Sequence, residues 1–165
     1  MDSDAAVAVP DPDAVARAAA RIAGRVRRTP VIEHAGVTLK LELLQHAGSF
    51  KPRGAFNRVL VEAAIPPSGL IAASGGNHGA AVAFVARALG VTAEVYVPAT
   101  SPALKRATIE RFGATAVVIE GLYDDAQRAA NVRQACTGAL MVHPYDHPAT
   151  VAGQGTMAME LEQQL

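Results

Sequence analysis

The sequence contains little cysteine, and this shortage excludes one class of protein. Its single cysteine, Cys136, cannot form an internal disulfide, so the chain is not a disulfide-stabilised secreted scaffold. A lone thiol fits a reducing compartment, and we expect a cytoplasmic protein. Because Cys136 falls in a predicted helix, we interpret it as a small residue of the core or of its boundary.

The sequence also lacks net charge and long apolar runs. Lysine plus arginine number 15, and aspartate plus glutamate number 15, so no excess of either sign directs the chain to nucleic acid or to an anionic membrane. No apolar stretch reaches the ~20 residues that span a bilayer. The amino terminus carries Asp2 and Asp4 instead of a basic region, which argues against a signal peptide. We therefore expect neither a nucleic-acid partner nor a membrane partner.

What remains is the composition of a globular protein. The chain is 50% hydrophobic and 18% charged, which excludes a disordered, highly charged tail. Its 165 residues suffice for one domain or a domain and a fraction. A compact fold of this size buries roughly 70% of the surface of the unfolded chain, which is enough for a real core.

The first third of the chain predicts mixed secondary structure. Asp11 and Pro12 suit the N-cap and first turn of an alanine-rich helix. Further on, Lys40 and Glu42 would share one face of a strand. The predicted elements are a helix over 11–21, extended chain over 29–32, a strand over 37–43 and a helix over 52–64.

From about residue 68 the pattern becomes regular, because short apolar runs alternate with segments of helical length. This alternation is typical of βαβ units in a parallel sheet with right-handed crossovers. The tail then predicts a loop and a helix from about residue 150, with nothing after it to pack against it. The predicted strands are 70–73, 93–97, 115–119 and 139–142, and the predicted helices are 80–89, 102–112 (capped by Ser101 and Gly113) and 123–136.

A glycine-rich loop, Ser-Gly-Gly-Asn-His-Gly at 74–79, joins the first of these strands to the first of these helices. Ligands of open parallel sheets bind beyond the carboxyl ends of the strands. A helix that begins there presents free N–H groups and a partial positive charge to a carboxylate or phosphate. The glycines permit close approach of the backbone. A tight strand-to-helix turn without any ligand is the alternative, since glycine motifs alone are weak evidence.

A second segment, Ser-Phe-Lys-Pro-Arg-Gly at 49–54, places one lysine among small and rigid residues. Most lysines are solvated surface charges, and Lys51 taken alone fits that interpretation. A desolvated lysine has a lowered pKa and can act as a nucleophile or base. Lys51 beside an anion-holding loop therefore favours Schiff-base chemistry with pyridoxal phosphate (PLP).

In combination, the two segments closely resemble the fold-type-II PLP enzymes, in particular the branch of serine/threonine dehydratases (ammonia-lyases) and serine racemases. The resemblance begins at about Thr29 and extends nearly to the end of the chain. It continues through Val97-Pro98, 105–113, His143-Pro144 and the Ala-Gly-Gln-Gly-Thr run at 152–156.

The resemblance implies a role for each motif residue. Lys51 would carry PLP as a Schiff base and take the Cα proton of the substrate. Phe50 would pack near the cofactor ring, and Asn77 would hydrogen-bond the 3-hydroxyl oxygen of the cofactor. The substrate carboxylate would be surrounded by loop residues Ser74, Gly75, Gly76, Asn77 and His78. The implied reaction is dehydration and deamination of L-threonine or L-serine to a 2-oxo acid and ammonia.

Two positions bear on the type of reaction within the family. Racemase members tend to carry a second serine where this chain has Gly75, and often an asparagine where it has Tyr145. Both differences favour elimination, so serine racemisation is the weaker expectation. The cysteine-synthase branch typically has Asn-Thr-Gly where this chain has Asn77-His78-Gly79, which also disfavours β-replacement.

The resemblance covers only the first half of the family's architecture, and it implies a division into domains. Residues 1–67 would belong to the large, tryptophan-synthase-beta-like PLP domain, 68–146 would form a small α/β domain, and 147–165 would begin the return to the large domain. The later loop that holds the cofactor phosphate is not among these residues. A catalytically silent half-enzyme that binds a small anion or a partner chain is therefore the alternative function. For partners we expect a small amino-acid substrate and either a homodimer or a complementary chain.

Five further residues are given roles outside the two motifs or in support of them. His143 and His147 are four residues apart, a spacing seen in metal sites, but adjacent prolines oppose a helix that would align them, so we predict loop residues and no metal site. Asp124 and Asp125 lie near a helix start and suit capping. Arg53 is expected to anchor the lysine segment through hydrogen bonds.

Overall fold

The computed structural model describes residues 9–165, and within them a four-stranded parallel sheet lies between helices. A separate antiparallel hairpin, β1–β2, precedes the sheet, and its turn has positive φ at Ala35 and Gly36. The strands are β1 (Val31–His34), β2 (Val37–Lys40), β3 (Leu70–Ala73), β4 (Ala93–Pro98), β5 (Thr115–Ile119) and β6 (Leu140–Met141). The helices are α1 (Pro12–Ile22), α2 (Lys51–Leu60), α3 (Asn77–Leu89), α4 (Ala103–Arg111), α5 (Tyr123–Thr137) and α6 (Pro148–Glu162), with 3₁₀ turns at Glu42–Leu44 and His46–Gly48.

The order of the strands contains one reversal. The sheet runs β5-β4-β3-β6, and every neighbouring pair is parallel. The chain therefore moves outward from β3 through β4 to β5 and then returns to the other side of β3 as β6. The reversal lies between β3 and β6, which are parallel neighbours, and open α/β sheets bind their ligands beyond the carboxyl ends of the strands at such a point.

The alternation of side chains along the central strands divides the core into two layers. Leu70 and Ala72 of β3 point into the larger cluster, with Val95 and Val97 of β4. Their neighbours in β3, with Tyr96 of β4, point into a smaller cluster built around α5. Alanine-rich helices pack against both faces, as expected of a parallel sheet buried on both sides.

The last helix is packed by two helices that precede it in the sequence. Helix α6 lies against α2 and α1, and two glycines allow the close approach to α2. A Cβ atom on Gly153 would lie 2.6 Å from the carbonyl oxygen of Arg53, and one on Gly54 would lie 2.7 Å from the carbonyl oxygen of Thr150. Only residues without side chains permit this backbone-to-backbone contact.

The structure corrects the predicted end of the second strand and the predicted length of the following helix. β2 ends at Lys40 instead of residue 43, because the chain turns so that the Glu42 carboxylate enters the interior and meets Arg53. Helix α2 ends at Leu60, although the pattern predicted helix to residue 64.

Two predicted helix starts are also wrong. α3 begins at Asn77, three residues before the predicted start, so Asn77 and His78 belong to its first turn. α4 begins at Ala103 with Pro102 as its N-cap, so Ser101 does not cap it.

Several smaller expectations have clear outcomes. Asp11 caps α1 by accepting a hydrogen bond from the Ala14 N–H at 2.6 Å, as predicted. Asp125 likewise accepts from the Leu122 N–H at the start of α5.

Cys136 is exposed, so its predicted place in the core or at its boundary is wrong. Within residues 9–165, no helix combines the length and apolar character needed to cross a membrane. The division into 1–67, 68–146 and 147–165 stays a prediction.

Candidate active site

The candidate site lies at the carboxyl edge of the sheet, where the loops after β3 and β6 separate. The first of these is the glycine-rich loop, 74–79, whose last residues form the start of α3, and the second is the β6 loop, 142–147. Lys51, from the first turn of α2, reaches the second of them. The two motifs that the sequence singled out are therefore brought to the same edge.

Lys51 is half-buried, and its ammonium donates a hydrogen bond to the carbonyl oxygen of Pro144 at 2.9 Å. The same Nζ lies 5.1 Å from the centre of the Phe50 ring. Burial lowers the pKa of the Lys51 amine below its usual value. The amine is thus easier to deprotonate than a solvated lysine, as a nucleophile or base must be.

His78 is buried in the first turn of α3 and holds a second carbonyl of the same segment. Its Nε2 donates to the carbonyl oxygen of Val142 at 2.7 Å, which leaves Nδ1 buried without a hydrogen-bond partner among the described residues. Burial, with smaller contributions from the nearby charges of Lys51 and His143, lowers the pKa of His78 to about 4. The ring is therefore neutral at pH 7 and offers Nδ1 as an acceptor.

The glycine-rich loop leaves the start of α3 open. Gly76 is the N-cap residue, and no side chain caps the helix. Ser74 Oγ accepts from the Gly76 N–H at 3.2 Å and so shapes the loop without filling the helix end. The N–H groups of the first turn of α3 thus remain suited to an anion.

Gly75 is confined by a residue from the loop after β4. A Cβ atom on Gly75 would lie 1.7 Å from Ser101 Oγ, a separation at which two atoms cannot coexist. Gly79 is confined too, since its Cβ would lie 2.3 Å from the Ser74 carbonyl oxygen. By contrast, a Cβ on Gly76 would meet nothing closer than 4.0 Å. Glycine at 79 is thus required by backbone contact, a side chain at 75 would require Ser101 to move, and position 76 is open.

Asn77 is exposed at the mouth of the loop, and its Oδ1 accepts a hydrogen bond from Lys105 Nζ of α4 at 3.1 Å. The sequence did not predict this contact, which joins residues 28 positions apart. The resemblance includes Lys105 only as part of a longer matching run, so no local signal marked it as a neighbour of the loop.

The β6 loop is held by its own side chains. His143 Nδ1 accepts from the Asp146 N–H at 2.8 Å, and the His143 ring meets the Tyr145 ring edge to face at 4.8 Å. His147 caps α6 by accepting from the Ala149 N–H at 3.2 Å. Both histidines are thus loop residues, as predicted. Residues 9–165 contain no group of three or more histidine, cysteine or acidic side chains placed to hold a metal ion.

Tyr145 also approaches α5 on the far side of the sheet. Burial, together with the neighbouring Tyr145 hydroxyl, raises the pKa of Tyr123 to about 12. Tyr123 in turn donates to Gln127 at 3.0 Å. The ring of Tyr145 is nevertheless 62% exposed, so it forms the rim of the site and not its floor.

Arg53 anchors the lysine segment, as predicted, through a buried network of charges. Its guanidinium donates twice to Glu42, at 2.7 and 2.9 Å, and twice to Glu160, at 2.8 and 2.9 Å. Glu160 also accepts from Lys40 at 2.8 Å. Although burial opposes the charge, the hydrogen bonds to both carboxylates raise the pKa of Arg53. The first turn of α2 is therefore fixed to the 3₁₀ turn before it and to α6.

Comparisons with a family model and with individual known proteins agree on one family. A family described as pyridoxal-phosphate dependent enzymes matches residues 22–165. The L-threonine ammonia-lyase of Geobacter sulfurreducens is 40% identical over 154 residues, covering 88% of this chain and 38% of that protein. The serine racemase of Oryza sativa subsp. indica is 34% identical over 160 residues, covering 92% of this chain and 47% of that protein.

A solved structure agrees with these relatives. Maize serine racemase superposes with a TM-score of 0.90 at 32% identity, covering 96% of this chain and 51% of that one. The chain thus spans about half, or less, of the length of the proteins it matches.

Proposed function

The chain belongs to the family of pyridoxal-phosphate dependent enzymes, and from that membership we propose that it forms the amine-bearing part of an ammonia-lyase acting on L-threonine or L-serine. Its fold is the α/β fold of the fold-type-II PLP enzymes, as the sequence predicted. The observation that carries the proposal is the half-buried Lys51 amine, with its lowered pKa, at the switch point of the sheet. The products would be a 2-oxo acid and ammonia.

The residues of the site are suited to the family's cofactor. PLP needs an amine, a site for anionic oxygens and a flat neighbour for its ring. Lys51 supplies the amine, the uncapped start of α3 suits an anion, and Phe50 offers a ring face beside the lysine. Four buried side-chain atoms have no hydrogen-bond partner among the described residues, and two of them, Ser49 Oγ and His78 Nδ1, belong to the two motifs and would be available to a bound group. When bound, PLP supplies an electron sink for the bond broken at Cα.

The proposed roles of the protein's own groups follow from these positions. Lys51 Nζ would hold the cofactor and would accept the Cα proton, since its lowered pKa favours the neutral amine. Ser74, Gly75 and Gly76, with the backbone amides of the α3 start, including that of His78, would orient the substrate carboxylate. The His78 ring would not bind the carboxylate itself, because its free Nδ1 is an acceptor. Asn77 would hydrogen-bond an oxygen of the cofactor.

Elimination is favoured over racemisation by the surroundings of Gly75. The glycine has no hydroxyl with which to return a proton to the opposite face of Cα. Ser101 Oγ already occupies the space of a side chain at that position. The substrate would thus lose its Cα proton and its β-hydroxyl as water, and the water regained on hydrolysis would release ammonia.

The test uses the small number of lysines in this chain. There are three, Lys40, Lys51 and Lys105, and Lys40 is held by Glu160 and Gln164. The purified chain is incubated with PLP, reduced with borohydride and mapped by mass spectrometry. We expect the label on Lys51, its loss in Lys51→Ala and its retention in Lys105→Ala. A label distributed equally over the three lysines would overturn the proposal.

A second measurement addresses the reaction. The chain that labels at Lys51 is incubated with L-threonine and with L-serine, and 2-oxo acid and D-serine are measured. We expect 2-oxo acid without D-serine. Specific labelling without either product would instead favour the silent half-enzyme that binds a small anion or a partner chain. A homodimer, or association with a complementary chain, remains part of this proposal, and sedimentation of the labelled chain tests it.

A further inference from the structure

The contact between Lys105 and Asn77 fixes which way the Asn77 carboxamide faces. An ammonium group has three donors and no acceptor, so only the amide oxygen can face it. Lys105 Nζ lies 3.1 Å from Asn77 Oδ1. The two hydrogens of Asn77 Nδ2 are therefore turned away from Lys105. Among residues 9–165, no group accepts a hydrogen bond from them.

The α4 start lies against the loop at a second point. Ser101 Oγ fills the space beside Gly75, as described above, and Lys105 follows one helical turn later. The loop is thus contacted at two of its residues by one segment. The packing of Ser101 against Gly75 fixes the backbone that carries Lys105. Lys105 is therefore held near Asn77 by the position of its backbone as well as by the hydrogen bond of its flexible side chain.

The charge of Lys105 is not neutralised by a carboxylate in the described part of the chain. The seven salt bridges of this part of the chain, such as that of Lys40 with Glu160, involve other cationic residues, and Lys105 has no carboxylate oxygen within 4.0 Å. A positive charge beside an uncapped helix start favours a negatively charged acceptor next to Asn77.

We propose that Lys105 is a positioning residue, which holds the Asn77 carboxamide with its NH₂ group presented to an anionic oxygen of the bound cofactor. The inference rests on the proposed function, because it takes Asn77 as a cofactor contact. It adds a residue of α4 to the site, one that touches neither the reacting atoms nor Lys51. A residue with this role affects cofactor binding only through Asn77.

The experiment measures PLP affinity by visible absorbance and by borohydride labelling of Lys51. Lys105→Met keeps the aliphatic stem but removes the donors, and we expect affinity to fall about five- to tenfold, the effect of losing one hydrogen bond. Lys105→Arg retains donors and should restore most of the affinity. Arg106→Met, which removes a neighbouring positive charge, is the matched control and should change affinity less than about twofold.

A double-mutant cycle distinguishes positioning from general electrostatics. In an Asn77→Ala background, Lys105→Met should have no further effect on PLP affinity. An equal loss in both backgrounds would show that Lys105 acts without Asn77 and would overturn the proposal. So would unchanged affinity in Lys105→Met, or a loss of the same size in Arg106→Met.

An NMR measurement on the chain without cofactor separates this proposal from the proposed function. The chain has three asparagines, so the Asn77 carboxamide signal can be assigned from Asn77→Ala. Its ¹³Cγ and side-chain N–H signals should shift in Lys105→Met and stay in place in Arg106→Met. If these signals do not respond, the positioning role is wrong, whatever the cofactor does. If they respond but Lys51 fails to label, the proposed function is wrong and the Lys105 contact with Asn77 stands.

Discussion

Lys51 and His78 donate hydrogen bonds to carbonyl oxygens two residues apart, those of Pro144 and Val142, at 2.9 and 2.7 Å. The lysine comes from the first turn of α2 and the histidine from the first turn of α3. The segment that leaves β6 thus ties both motifs together, although neither motif contacts the other through a hydrogen bond of its own. The neutral state of His78 is part of this arrangement, because a charged ring would lie close to the Lys51 ammonium.

The first prediction concerns acid. His78 has a pKa of about 4 in the folded chain, compared with an ordinary value of 6.5. Between these values the unfolded chain binds more protons, so stability is full above pH 6.5 and falls as the pH drops toward 4. The His78 contribution to this loss is up to about 3 kcal/mol. Urea unfolding at pH 7 and pH 4.5 should show a smaller loss in His78→Gln, which can still donate to Val142. Equal losses in the two proteins would contradict the prediction.

The second prediction concerns Gly75 and Ser101. Gly75→Ser should destabilise the chain by about 1–3 kcal/mol, because the new Cβ would overlap Ser101 Oγ. Ser101→Gly in the same chain should recover most of the loss, and thermal unfolding of the four members of the cycle measures the coupling. Gly76→Ser is the control, since that position is open. If Gly75→Ser and Gly76→Ser unfold alike, the close contact is not present in solution.

The third prediction concerns the buried charges. Arg53→Met leaves Glu42 and Glu160 without their shared cation, and removing one partner of a buried pair costs about 3–5 kcal/mol. Arg128→Met removes an exposed partner of Asp125 and should change stability by less than about 1 kcal/mol. Chemical denaturation compares the two variants. A small effect at Arg53 would mean that the network does not hold α2 and α6 together.

The fourth prediction separates two glycines of one helix. Gly153→Ala should destabilise by about 1–3 kcal/mol, since its Cβ would press on the Arg53 carbonyl of α2. Gly155→Ala meets only the Val15 side chain, at 3.0 Å. There the gain in helix propensity, about 1 kcal/mol, offsets the crowding. Equal melting temperatures for the two variants would show that the helices are farther apart than described.

Much of the sheet could be predicted because its strands carry their own signals. β3 and β5 have the predicted bounds, since each is a short apolar run between turn residues. The helix starts were harder, because Asn77 and His78 have no strong helix preference and join α3 only where the loop glycines allow it. β2 was predicted too long, because the local sequence pattern does not reveal that the Glu42 side chain turns into the interior to pair with Arg53.

The same limit applies to the candidate site. Lys51 and the glycine-rich loop could be predicted as site residues, because each belongs to a short segment whose residue types and spacing indicate its chemistry. The partners of those motifs come from far along the chain. Pro144 is 93 positions from Lys51, and Glu160 is 107 from Arg53. Contacts of this kind depend on the tertiary fold, and no window of sequence contains both members.

The network around Arg53 also has a consequence for the register of α2. Lys51 and Arg53 are two residues apart on the first turn of one helix, so their side chains leave the axis about 200° apart. Lys51 faces the cleft and Arg53 the interior, and a slip of α2 by two residues would place Arg53 where Lys51 lies and Ala55 where Arg53 lies. In the slipped helix, the buried carboxylates of Glu42 and Glu160 would lose their shared cation, and that register would be far less stable. The ion pairs of Arg53 thus stabilise the one register of α2 that brings the Lys51 amine to the cleft.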